Sequence, residues 1–164
     1  MRLSIAIAYG AILTALSIMI PIAFGGVLGI YIPPFSATLA SHVPLMLGML
    51  ISPAIAAAIG FASAVGFLIR LGNPVIAARA ATHIVVGLSG ALMIKRRTPF
   101  WLALLLTAPI HGLLEALVVI PFGFDLYRAG VVVGVGTMLH HLIDSLIALS
   151  VVPLLRAARL LESR

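Results

Sequence analysis

The chain has ten Lys and Arg, four Asp and Glu and five His residues. All five histidines, one arginine and two carboxylates fall inside stretches apolar enough to cross a bilayer. They are His42, Arg79 with His83, His111 with Glu115, and His140 and His141 with Asp144. An ionisable group in hydrocarbon costs about 2.5–3.5 kcal/mol on insertion scales, so such residues turn toward a bundle interior and mark a binding site or a pathway. Arg79 and His83, His111 and Glu115, and His140 and Asp144 are each four residues apart and share a helix face. Three polar stripes of this kind can bind a small polar molecule that has shed its water, with Arg79 the natural partner for a carboxylate.

Each group also has a quieter reading. Glu115 with Arg79 or a histidine either lines a site or clamps two helices together. His42, close to Ser41 and Pro44, either meets a ligand or shapes a helix start. His83 and His111 suit scaffold hydrogen bonds better than first contacts, and only one of the adjacent His140 and His141 is expected to point squarely inward. Histidine with carboxylate is also a divalent-metal donor set. That reading is set aside here, because no HxxxH or HExxH occurs and a buried arginine beside the site would repel a cation. An intramembrane hydrolase is disfavoured by the lack of GxSxG or a comparable arrangement.

The elements that must carry these residues follow from composition. The chain is 63% hydrophobic and 9% charged, against about 25% charged in a soluble domain, which makes it a polytopic membrane protein. Its 164 residues accommodate about six spans of roughly 20 residues in one transmembrane domain, 1–164. We expect an all-α bundle with helices at about 3–20, 36–51, 54–69, 75–94, 99–122 and 130–155. The first could pass for a signal peptide, but five further apolar segments follow, so it is read as a span. Segment 21–35 holds Pro21, Gly25, Gly26, Gly29, Pro33 and Pro34 without a charge. Breakers at that density argue against a regular helix and suit a lid lying over protein or dipping into the interface. Small residues at Ser52, Ala56, Gly60 and Ala64 let a neighbouring helix approach closely.

Basic residues in short loops orient the bundle. With the N-terminus cytoplasmic, Arg2, Lys95, Arg96, Arg97, Arg156, Arg159 and Arg164 all lie inside, and the loop residues Arg70 and Arg128 lie outside. Both termini are then cytoplasmic, and the net charge of +6 reflects topology rather than nucleic-acid binding. On this layout Arg79, His42 and Glu115 form a shallow outer capture site, with His83, His111 and Asp144 deeper as its support. Cysteine is absent, which excludes disulfides and thiolate chemistry. No GxxxxGK[ST] loop occurs, so this chain by itself cannot use ATP.

The runs Ala37-Thr-Leu-Ala-Ser-His-Val-Pro44, Ile51-Ser-Pro53, Gly66-Phe67 and Arg79-Ala-Ala-Thr-His83 resemble the substrate-capture (S) components of energy-coupling factor (ECF) transporters, above all the niacin-type members. The likeness is densest from about residue 35 to 91. It implies a six-helix membrane protein of the bacterial cell membrane that binds a vitamin near the outer surface. It also implies a transmembrane coupling subunit and two cytoplasmic ATPases as partners, with no cofactor in this chain. For niacin the nicotinate carboxylate would meet Arg79, with His42, His83 or Asn73 near the pyridine nitrogen, Glu115 in the site, and Tyr31 or Phe35 against the ring. Ala11 and Ala15 match an AxxxA motif that faces the coupling subunit in this family. The His140, His141 and Asp144 group has no counterpart in the pattern, so thiamin, folate or a queuosine precursor stays open, as does a self-sufficient proton-coupled carrier.

Overall fold

The computed structural model describes residues 3–158. Arg2, Arg159 and Arg164, used above for orientation, lie outside the described residues. Helix α1 is Leu3–Leu28, followed by a hairpin of β1 (Gly29–Ile32) and β2 (Phe35–Thr38), and then by a short α2 (Val43–Ile51). Next come α3 (Pro53–Leu71), α4 (Pro74–Lys95), α5 (Phe100–Val119) and α6 (Gly136–Ala157), the last entered through a π-helical stretch, Arg128–Val135. Among the described residues five helices are long and apolar enough to cross a membrane, which makes this a multi-pass membrane protein. Large apolar side chains such as Leu3, Val27, Ile69, Leu126 and Leu154 cover the outside, whereas Arg79, Glu115, Asp144 and four of the five histidines are buried. Such an exterior suits lipid.

The turns between α2, α3 and α4 follow local chemistry. Ser52 caps α3, its hydroxyl accepting from the Ile55 amide at 3.1 Å, with Pro53 at the first helical position, where its missing N–H is not needed. Gly72 ends α3 in the left-handed conformation (φ 62°). Asn73 starts α4 by accepting from the amides of Val75 and Ile76 at 3.0 and 3.2 Å.

The entry to the bundle departs from expectation in two ways. Helix α1 continues through Pro21, Gly25 and Gly26 to Leu28 instead of stopping at Pro21. In apolar surroundings an unpaired backbone group costs several kcal/mol, so helix persists where water would let it break. The span expected at 36–51 is divided: β2 pairs antiparallel with β1 in the register Tyr31 opposite Ser36 and Ile32 opposite Phe35, and only residues from Val43 are helical. The architecture is all-α with six helices, as expected, and the short hairpin is an insert between α1 and α2. Nine residues of α2 at about 1.5 Å each are too short for a hydrocarbon core of about 30 Å.

A main core cluster gathers Met46, Met49, Ile59, Val86 and Leu104 between α2, α3, α4 and α5. A smaller one holds Phe35, Val119, Ala129 and Val133. The small-residue stripe of α3 meets α4, as expected: a Cβ added at Gly60 would lie 2.6 Å from the His83 carbonyl carbon. Gly60 thus sets how far His83 sits from α3. Gly60→Val is expected to force α3 and α4 apart and to destabilise the protein by about 1–3 kcal/mol or more. A thermal melt in detergent followed by Trp101 fluorescence checks this, and an unshifted melt would contradict the close approach.

Candidate functional site

Residues 29–42 leave helical geometry; 29–33 are exposed, but most of 34–42 is buried or partly buried, and the backbone groups there need partners. Two buried side chains supply them. Asp144 on α6 accepts from the Ala40 amide at 2.7 Å through one oxygen and from the His42 amide at 2.9 Å through the other. It therefore binds the start of α2 from across the fold, where His42 offers no side-chain cap of its own. Arg79 on α4 treats the hairpin in the opposite sense. Its guanidinium donates to the Pro34 carbonyl (3.2 Å), the Ser36 hydroxyl (3.1 Å) and the Ser36 carbonyl (3.1 Å). Ala40 adopts φ 67°, a left-handed turn that turns the chain between β2 and α2.

Arg79 is balanced by Glu115 on α5, with Nε donating to Oε2 at 2.7 Å. The same oxygen accepts from Thr137 on α6 at 2.6 Å. Both partners are almost wholly buried, a setting in which removing one partner strands the other charge. The other Glu115 oxygen lies 3.3 Å from His111 Nε2 and 3.9 Å from His83 Nε2. Glu115 is thus both an interhelical clamp and a wall of the cavity, so the two readings of it are one structure. Of the five N–H donors of a guanidinium, four are engaged by protein and one is left for a ligand.

Around these groups lies a cavity of about 290 Å³, at the small end of ligand sites, which span about 300–1,000 Å³. Arg79, His42, His83, Glu115 and Tyr31 all line it. Asn73 does not, being occupied in capping α4. Tyr31 is 73% exposed on β1 and forms part of the rim. Phe35 is buried in the smaller core cluster, beneath the Arg79 guanidinium at 5.5 Å, rather than among the residues lining the cavity. Ala11 and Ala15 lie exposed on α1, far from burial in the bundle.

The histidines form a single group. The His42 ring lies 4.9 Å from His83, 4.7 Å from His111 and 4.6 Å from His140, which corrects the division into shallow and deep layers. Asp144 bonds to the backbone of His42 itself rather than sitting beneath it. The reason is the short α2, which places His42 at a helix start in the middle of the group instead of two turns along a longer helix. Both His140 and His141 are buried, 9% and 1% exposed, contrary to the expectation for adjacent residues. Helix α6 is flanked on two sides: His140 meets Ser41 at 3.1 Å, while His141 meets His111 at 3.1 Å. Ser36 and Thr137, not singled out in the sequence, also line the cavity, as does Ser41, read there only as part of a helix start. Thr137 was detectable, since 137, 140, 141 and 144 follow one helical stripe.

A multi-pass helical membrane protein with a partly open cavity of small-molecule size, lined by apolar side chains around a few charged and polar ones, is thus defined. The chain is 33% identical over 155 residues to the niacin transporter NiaX of Lactococcus lactis subsp. cremoris (strain MG1363), covering 85% of this chain and 69% of that protein. It belongs to the NiaX family of substrate-binding S components of ECF transporters. No protein-family model matches it, and no solved structure does.

Asp144→Ala would leave the part-buried Ala40 amide and the buried His42 amide without acceptors, at up to about 1–3 kcal/mol each. By contrast Arg128→Ala removes a pair exposed by 60% on both sides and should shift stability by less than about 1 kcal/mol. Parallel thermal melts of the two variants check the difference, and equal shifts would refute the role given to Asp144.

Proposed function

We propose that this chain is the substrate-specific membrane subunit that captures niacin, as nicotinate, from outside a bacterial cell for ATP-driven import by an ECF complex. One observation carries the reading: a relative of a niacin transporter holds a small, largely apolar cavity with a buried arginine in its wall. The nicotinate carboxylate takes the remaining Arg79 N–H, and the ring lies among His42, His83 and Tyr31. Glu115 holds the guanidinium in place, and Asn73 acts indirectly by fixing the start of α4. The β1–β2 hairpin serves as the outer lid, because Arg79 bonds to it directly. A carboxylate competing for that guanidinium therefore acts on the lid as well.

In this reading the hairpin and α2 together complete a sixth crossing, and both termini are cytoplasmic in the plasma membrane. A coupling subunit docks on the exposed side of α1 at Ala11 and Ala15, and two ATPases supply the energy. The chain itself needs no cofactor for capture. Helix α1 supports this docking, since only Gly10 and Ser17 along it are buried.

Radiolabelled nicotinate binding to the detergent-purified protein should weaken at least about tenfold in Arg79→Ala, since a hydrogen bond to a charged group contributes about 1.5–3 kcal/mol. Undiminished affinity sinks the assignment, and displacement of the label by unlabelled thiamin, folate or a queuosine precursor would redirect it to another vitamin. Uptake of nicotinate should require co-expression of the coupling subunit and ATPases. Strong uptake at nanomolar substrate by cells expressing this chain alone would favour a self-sufficient carrier.

A further inference from the structure

His42, His83 and His111 come from the start of α2, from α4 and from α5, and their rings form a nearly equilateral triangle. Ring centroids are 4.9, 4.7 and 5.0 Å apart, with interplanar angles of 83°, 78° and 75°. One ring nitrogen from each lies within 4.8 Å of the other two. Among the described residues, the buried side-chain nitrogens and oxygens without a hydrogen-bond partner are His42 Nδ1, His83 Nε2 and His111 Nε2. Unpaired buried polar atoms are uncommon and cost about 1–3 kcal/mol each. Here all of them belong to one triad.

The hydrogen bonds behind the triad fix which nitrogen of a neutral His111 carries the hydrogen. His141 Nε2 lies 3.1 Å from the Leu104 carbonyl, which can only accept, so this nitrogen carries the hydrogen. Thr107 Oγ1, 3.3 Å from the same nitrogen, has its own hydrogen directed at the Ala103 or Leu104 carbonyl and accepts as well. Neutral His141 then has a bare Nδ1, and His111 Nδ1, 3.1 Å away, must donate to it. That leaves neutral His111 with a bare Nε2 facing Glu115 Oε1 at 3.3 Å. Two lone-pair atoms so placed repel each other unless a cation lies between or beside them.

We propose that a divalent late first-row transition ion, of the zinc, cobalt or nickel kind, binds the ring nitrogens of His42, His83 and His111, with Glu115 Oε1 at its edge. Three imidazoles on one tetrahedral ion at about 2.0–2.1 Å per bond hold their ring centres about 5 Å apart, as these rings are. His111 has the supporting contact typical of a metal-bound imidazole, its second nitrogen being held by His141. Arg79 is no obstacle, because its charge is balanced by Glu115 at 2.7 Å. The missing HxxxH pattern is no obstacle either, since the ligands come from three separate elements. His42 and His83 line the cavity and His111 does not, so the open coordination position faces the cavity, where water or a ligand carboxylate or ring nitrogen completes the shell.

Titration of the chelator-stripped, detergent-purified chain with cobalt(II) tests this without any vitamin, so its outcome is independent of the niacin reading. Saturation at one equivalent is expected, with the intense visible absorption of tetrahedral cobalt and its loss on adding zinc. His83→Ala should abolish that binding, and His141→Ala should weaken it about 10–100-fold as a positioning residue. His140→Ala should retain it, which excludes the alternative donor group of His42, His140 and Asp144. Absence of saturable binding by the unmodified chain overturns the proposal and leaves a proton as the cation between His111 and Glu115. Binding that survives His83→Ala, or that is lost with His140→Ala instead, also overturns it.

Discussion

A stretch of non-helical backbone inside an apolar bundle must have every N–H and C=O satisfied by protein. The buried part of the segment, within residues 34–42, imposes that demand, and the polar interior is arranged around meeting it. Asp144 accepts from the amides of Ala40 and His42, and Arg79 donates to the carbonyls of Pro34 and Ser36. An acidic group serves the donors and a basic group the acceptors. Glu115 is then required to balance Arg79, and Thr137 donates to the oxygen that does so.

The same groups line the cavity, which ties the lid to the site. Arg79 reaches both the hairpin and the cavity, so a ligand that draws on its guanidinium acts on the hairpin as well. The bundle can bear so polar an interior because its members satisfy one another; a half-satisfied network would cost more than an apolar core. Against that background the three unpartnered imidazole nitrogens stand out as the place where the network is incomplete without a further cation. Outside, the polarity of a soluble protein is reversed, with apolar side chains facing outward on every long helix.

Much of this was legible in the residues. Ser52 with Pro53, Gly72 with Asn73 and Pro74, and the basic run from Lys95 mark the end of α2 and both ends of α3 and α4 to within two residues, because caps and breakers act locally. Spacings of four residues identified the stripes on α4, α5 and α6. Local rules failed where the surroundings override them. Pro21 and the glycines after it would end a helix in water, yet α1 continues to Leu28. Residues 36–42 read as helix by apolarity alone, yet they form a strand and a turn whose backbone partners are supplied by α4 and α6.

By itself the sequence determined that the chain is a helical membrane protein, that its few ionisable residues lie within its spans, and which of them share a face. It also carried the family likeness, which rests on the text around Ser41, His42 and Arg79. Tertiary structure alone decided which faces meet: Arg79 with Glu115, 36 residues apart, and Asp144 with Ala40, 104 residues apart. It also merged two supposed layers of histidines into one group. Helical periodicity fixes the direction of a side chain about its own axis, whereas the neighbour it meets depends on how the helices pack and on where an irregular segment interrupts them.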